Sequence, residues 1–83
     1  MKILYFAWVR EKAGVSSEDV SPPEDVDTVS SLMAWLSTRG DGYAEAFGNT
    51  RMVRVAVNQA HVGTDHPVAL GDEVAFFPPV TGG

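Results

Sequence analysis

The stretch Asp27-Thr28-Val29-Ser30-Ser31-Leu32-Met33-Ala34-Trp35-Leu36-Ser37-Thr38-Arg39-Gly40 decides how this chain folds. Val29, Leu32, Met33 and Leu36 recur at the i, i+3, i+4, i+7 spacing that lines one face of a helix. Asp27 or Thr28 stands where a short oxygen side chain accepts from the first free backbone N–H groups. Arg39 suits the negative carbonyl end, and Gly40 is a left-handed stop. The acidic residues ahead of the helix favour its positive end, so they read as capping charges rather than catalytic carboxylates. A helix with one apolar stripe needs a surface to bury it on.

The flanking sequence supplies strands. Lys2 to Arg10 reads as a first strand, with Ile3, Tyr5, Ala7 and Val9 on one side and Leu4, Phe6 and Trp8 on the other. Gly14 permits a turn, and Val15 to Val20 returns as a more polar strand that Ser21-Pro22-Pro23 ends. Beyond the helix, Gly42 to Gly48 carries Tyr43 and Phe47 and reads as a short helical turn plugging the core. Met52 to Val57 alternates as a strand, Asn58-Gln59 turns, and His61-Val62 forms a very short strand. Asp65-His66-Pro67 and Gly71-Asp72 bracket a loop. Glu73 to Phe77 makes the last strand, stopped by Pro78-Pro79, which cannot donate to a ladder. A single helix laid across one face of a mixed sheet is the economical solution for this order. The expected class is α+β: the arrangement is that of a ubiquitin-like β-grasp, although the order alone also fits other small α+β folds, with residues 1–77 as one domain and 78–83 as an extended tail.

Size and composition narrow the function. With 83 residues there is room for one domain, and 45% hydrophobic content supplies its core. Cysteine is absent, which excludes disulfides, thiolate ligands and a cysteine nucleophile, and fits a reducing, cytoplasmic location. The apolar opening run is followed at once by Arg10-Glu11-Lys12, so it reads as a strand and not a signal peptide. No stretch approaches the ~20 apolar residues of a membrane span. Net charge is −5, with only six Lys and Arg residues, which disfavours nucleic acid as a partner. An acidic surface more naturally meets a basic protein.

No catalytic constellation emerges. His61 and His66 have no third ligand set and read as surface or turn histidines, so no metal is expected. Asp65 before His66 is ordinary turn chemistry. The serines lack a G-x-S-x-G setting and the glycines lack phosphate-cradling spacing. Trp35 lies beside the helix stripe and reads as core or core-edge packing.

The C-terminus differs. Phe76-Phe77-Pro78-Pro79-Val80-Thr81-Gly82-Gly83 has no charged side chain. From Pro78 onward, extended chain spans roughly 20 Å, enough to carry the terminal carboxylate into a pocket on another protein. Two glycines without Cβ thread a channel too narrow for other residues. A carboxylate is a poor electrophile, so chemistry at Gly83 needs activation, most simply by ATP to an acyl-adenylate. Gly-Gly also ends ordinary chains as a frayed terminus.

Asn58 in its Val-Asn-Gln turn, Gly71-Asp72-Glu73-Val74, and Phe76-Phe77-Pro78-Pro79-Val80 leading to Gly82-Gly83 together resemble the small subunits of molybdopterin synthase. These are MoaD-type sulfur carriers of molybdenum-cofactor formation. The opening Phe6-Ala7-x-x-Arg10-Glu11 looks similar too, and the resemblance covers nearly the whole chain. Val-Asn and Gly-Asp-Glu-Val also occur in the related thiamine sulfur carriers.

The resemblance implies a β-grasp fold with no bound cofactor. It also implies that an adenylyltransferase similar to ubiquitin-activating enzymes uses ATP on Gly83, where sulfur then replaces one oxygen to give a thiocarboxylate. The tail, Pro78, Pro79, Val80, Thr81, Gly82 and Gly83, inserts into the large synthase subunit of a heterotetramer and gives sulfur to a pyranopterin precursor. The chain is thus a sulfur-donating subunit rather than a catalyst alone. Because one face of the first strand has no second helix to cover it, an apolar patch there marks a partner interface. Phe6 and Phe77 are its candidates. The alternatives are a thiamine-pathway carrier, a ubiquitin-like modifier joined to target lysines, and a non-covalent binding module with an incidental terminus.

Overall fold

The computed structural model describes residues 1–79, and Val80, Thr81, Gly82 and Gly83 lie outside the described residues. Its long helix, α2 (Val29–Ser37), is built as the spacing predicts. Thr28 is the N-cap, and its Oγ1 accepts from the Ser31 N–H at 3.1 Å. Ser31 Oγ in turn accepts from the Thr28 N–H at 3.0 Å, a capping box with serine where glutamate is usual. Val29, Leu32, Met33 and Leu36 are all buried. Trp35 packs half-buried at the core edge, with the Arg39 guanidinium 5.4 Å from its ring centroid. Gly40 does not stop this helix. Thr38 closes α2 in right-handed geometry, and Gly40 instead opens the next helix.

Five strands form one mixed sheet: β1 (Lys2–Tyr5), β2 (Ser17–Asp19), β3 (Arg54–Val57), β4 (Ala60–Val62) and β5 (Glu73–Phe77). Their order is β2-β1-β5-β3-β4, so the last strand of the chain is the central one. β5 runs parallel to β1 and antiparallel to β3. Ile3, Tyr5, Val74, Phe76, Val55 and Val57 share the core with the α2 stripe. Hydrophobic side chains from both layers thus leave water together, the largest favourable contribution to folding.

The first strand is shorter than the sequence suggests. It stops at Tyr5, and Ala7–Ala13 form a helix, α1, where the strand reading ran on to Arg10. The reason is local. Phe6 is the last extended residue, and Ala7, Arg10, Glu11, Lys12 and Ala13 are good helix formers. Gly14, at φ 84, caps the end through its N–H to the Arg10 carbonyl at 2.9 Å. Alternation therefore holds only to Tyr5, and Val9 reaches the core from a helix.

The segment read as a short turn at 42–48 is also a full helix, α3 (Asp41–Phe47). Phe47 does plug the core, meeting the Phe76 ring edge-on at 4.9 Å. Gly42 lets α3 lie against α1, because a Cβ there would come 1.9 Å from the Lys12 carbonyl oxygen. A one-turn 3-10 helix, Thr50–Met52, leads into β3, which begins two residues later than expected.

Candidate functional site: the exit of the central strand

The chain leaves the sheet from its centre. Along β5, Val74 and Phe76 are fully buried while Glu73, Ala75 and Phe77 alternate onto the opposite face. Register places Leu4, Ala75 and Ala56 side by side on that face, with Phe77 opposite Arg54. No helix of the described residues packs there, because all three send their buried side chains into the core on the other face. Phe77 is half-buried, its ring 5.3 Å from that of His61. Beyond it, Pro78 and Pro79 carry no regular structure.

Phe6 reaches the same end of the sheet by another route. Its N–H donates to the Phe76 carbonyl at 3.1 Å, so the bend into α1 is fastened beside the last strand. Its side chain is 48% exposed, and that of Met52, on the turn before β3, is 49% exposed. The two residues expected at an interface thus both stand where the tail begins. Sequence reading missed Met52 and Arg54 there, since alternation shows Arg54 only as the polar half of a strand. The cross-strand register that puts it beside Phe77 is a property of pairing.

The start of β5 is fixed by Asn58 and Asp72. Asn58 adopts φ 51 in the turn after β3, and its side chain bonds both Asp72 and the Glu73 N–H. The Asn58 amide and the Ala69 N–H hold the Asp72 carboxyl below its usual range. Both residues are positioning groups remote from the exit.

Glu18 gathers a second cluster of hydrogen bonds to a carboxylate. Its carboxylate accepts from the Tyr5 and Tyr43 hydroxyls, each at 2.8 Å, and from Arg39 at 2.9 Å. Burial works to raise this carboxyl, but the three donors outweigh it and hold the group below its ordinary range. Burial and the same carboxylate push the Tyr5 hydroxyl well up. All four side chains are engaged with one another, so the cluster ties β1, β2, α3 and the connection between α2 and α3 together and offers no free acid or base. No group of three metal-ligating side chains occurs among the described residues, and His61 and His66 lie apart from any such set. No helix among them is long and apolar enough to cross a membrane.

A mixed five-stranded sheet with parallel first and last strands, a helix across one face and a terminus led out of the central strand defines a ubiquitin-like β-grasp domain. The fold is shared with small archaeal modifier protein 1 (SAMP1) of Haloferax volcanii, at a TM-score of 0.72 and 28% identity over 100% of this chain and 98% of that one. The chain belongs to the ThiS family, whose match spans residues 3–83. It is 45% identical to the molybdopterin synthase sulfur carrier subunit of Escherichia coli, over 100% of this chain and 99% of that protein. The corresponding subunit of Haemophilus influenzae is 37% identical over the same shares.

Proposed function

We propose that this chain is a sulfur carrier of molybdenum-cofactor formation, acting as the small subunit of molybdopterin synthase. The observation that carries this reading is likeness along the whole chain, through its last residue, to proteins named as that carrier subunit. The β-grasp supports it by leading the terminus out of the middle of the sheet, past Pro78 and Pro79.

In this reading an ATP-using adenylyltransferase activates the Gly83 carboxylate as an acyl-adenylate. A sulfur nucleophile then displaces AMP, leaving a thiocarboxylate. The large synthase subunit takes the tail, from Pro78 to Gly83, and the sulfur passes to a pyranopterin precursor. The domain supplies a rigid handle, while the proton transfers and the acceptor site belong to the partners. Phe6 and Phe77, on either side of the exit, form the apolar part of the docking surface.

Intact-protein mass after incubation with ATP, a sulfur donor and the activating enzyme tests this. The expected product carries one sulfur in place of one oxygen at Gly83, and deleting Gly83 abolishes it. Full sulfur-donating activity from chain of unmodified mass overturns the reading. A second reading, as a protein modifier, is favoured by the likeness to small archaeal modifier protein 1. It predicts Gly83 joined to lysines of target proteins, which peptide mass spectrometry detects.

A further inference from the structure

Overall charge and local charge point in opposite directions on this molecule. The net charge is −5, yet no Asp or Glu occurs between Glu45 and Asp65, and none follows Glu73. Those acid-free segments include β3, β4 and all of β5 past its first residue. The cations divide by place as well. Lys12 and Arg39 are neutralised by Glu45 and Glu18, at 2.7 and 2.9 Å. Lys2 stands between Asp19 and Glu73 in the strand register, at the end where β5 begins. Arg10, on α1, and Arg51 and Arg54 are exposed and form no ion pair among the described residues, and the last two share one end of the sheet. Both lie at the end where β5 finishes: Arg54 opposite Phe77, and Arg51 on the turn leading into β3.

We propose that Arg51 and Arg54 form a cationic rim beside the tail exit that pairs with carboxylates flanking the opening through which a partner protein takes the tail. The proposal rests on the carrier reading above. Exposed Phe6 and Met52 and half-buried Phe77 occupy the same end. Arginine, aromatic residues and methionine without Asp, Glu or Lys make the composition of a protein contact surface. Guanidinium forks bind carboxylates bidentately, which fixes orientation as well as attraction. A nucleic acid does not fit, since two arginines cannot offset repulsion between a polyanion and a net acidic chain. The segregated charge also gives the molecule an electrostatic direction. An acidic opening attracts the exit end and repels the Asp72–Glu73 end, so encounters arrive with the tail leading.

Stopped-flow association with the purified large synthase subunit tests this, at about 50 mM and about 500 mM salt, where screening differs several-fold. The double variant Arg51→Glu/Arg54→Glu should associate about tenfold more slowly at low salt and approach the native rate at high salt. Arg51→Gln/Arg54→Gln should fall between them, and it decides the matter if the charge-reversed chain does not fold. Lys2→Gln, at the far end, should stay within about twofold. A double reversal that associates as fast as the native chain, or faster, overturns the rim and leaves the carrier reading intact. Native chain that binds the large subunit at neither salt concentration removes the carrier reading and the rim together.

Discussion

Asn58 clasps Asp72 across the sheet: its Nδ2 donates to Asp72 Oδ1 at 3.0 Å, while its Oδ1 accepts from the Glu73 N–H at 3.0 Å. The Asn58 N–H completes the clasp at the Glu73 carbonyl, 2.8 Å away, and Asp72 Oδ2 accepts from the Ala69 N–H at 2.8 Å. These bonds set where β5 begins. A slip of one residue along a strand sends every side chain to the other face. Here it would move Phe76 out of the core and Phe77 into it.

Asn58→Ala should therefore cost about 1–2 kcal/mol, since it removes the side-chain hydrogen bonds and leaves at positive φ a residue without the local polar contact that makes asparagine tolerant of that geometry. Asn58→Gly should cost less, because it keeps the left-handed backbone while losing the clasp. Chemical denaturation of both variants measures the difference. Equal stability of Asn58→Ala and native chain would show that the clasp adds nothing.

Acid should weaken the domain through Glu18 and Asp72. Both carboxyls are held below their ordinary range in the folded chain, Glu18 by its three donors against the opposing effect of burial, Asp72 chiefly by Asn58. A lowered folded pKa gives stabilisation that is complete above the unfolded value, near 4, and lost as pH falls through the folded value. The melting temperature should fall between about pH 5 and pH 2. Glu18→Gln should melt lower at pH 7 and lose less on acidification. Parallel melting curves for the two proteins across that range would contradict this assignment.

Gly42→Ala should destabilise by about 1–3 kcal/mol, the usual cost of forcing volume into a packed contact. The added methyl meets the Lys12 backbone rather than a movable side chain, so α1 and α3 must separate. Gly71→Ala is the comparison, because nothing lies within 4 Å of a Cβ there. A thermal melt of Gly42→Ala that matches Gly71→Ala would show that the two helices separate freely.

Core and docking surface should respond differently. Leu32→Ala opens a cavity in a fully buried site and should cost about 2–5 kcal/mol. Phe77→Asp alters the open face and should leave the isolated domain folded, while weakening binding to the large subunit by desolvating a charge. Thermal melting and calorimetry read the two effects. An unfolded Phe77→Asp chain would place that ring in the core, and a folded one that binds normally would remove Phe77 from the docking surface.

How far the sequence could be read depended on the range of the forces involved. The α2 stripe, the Thr28 cap, the Asn58 turn and the Phe77-Pro78 stop all follow from residues a few positions apart, and each stands in the structure as read. The first strand failed at Tyr5 because Phe6, Trp8 and Val9 suit a strand as well as a buried helix. Short apolar runs do not distinguish the two by periodicity. Gly40 failed for a related reason: a glycine between two helices serves either the end of one or the start of the next.

The sequence by itself determined the α+β class, the long helix and its buried face, the absence of thiol chemistry and the uncharged run from Val74 onward. Those depend on periodicity and composition, which act locally or are simple sums over the chain. Tertiary structure alone decided that β5 lies between β1 and β3, that Asn58 meets Asp72, and that Arg54 stands beside Phe77 in an acidic protein. Strand pairing joins residues far apart in the chain, and its register is set by the whole core closing at once. No window of neighbouring residues contains that information.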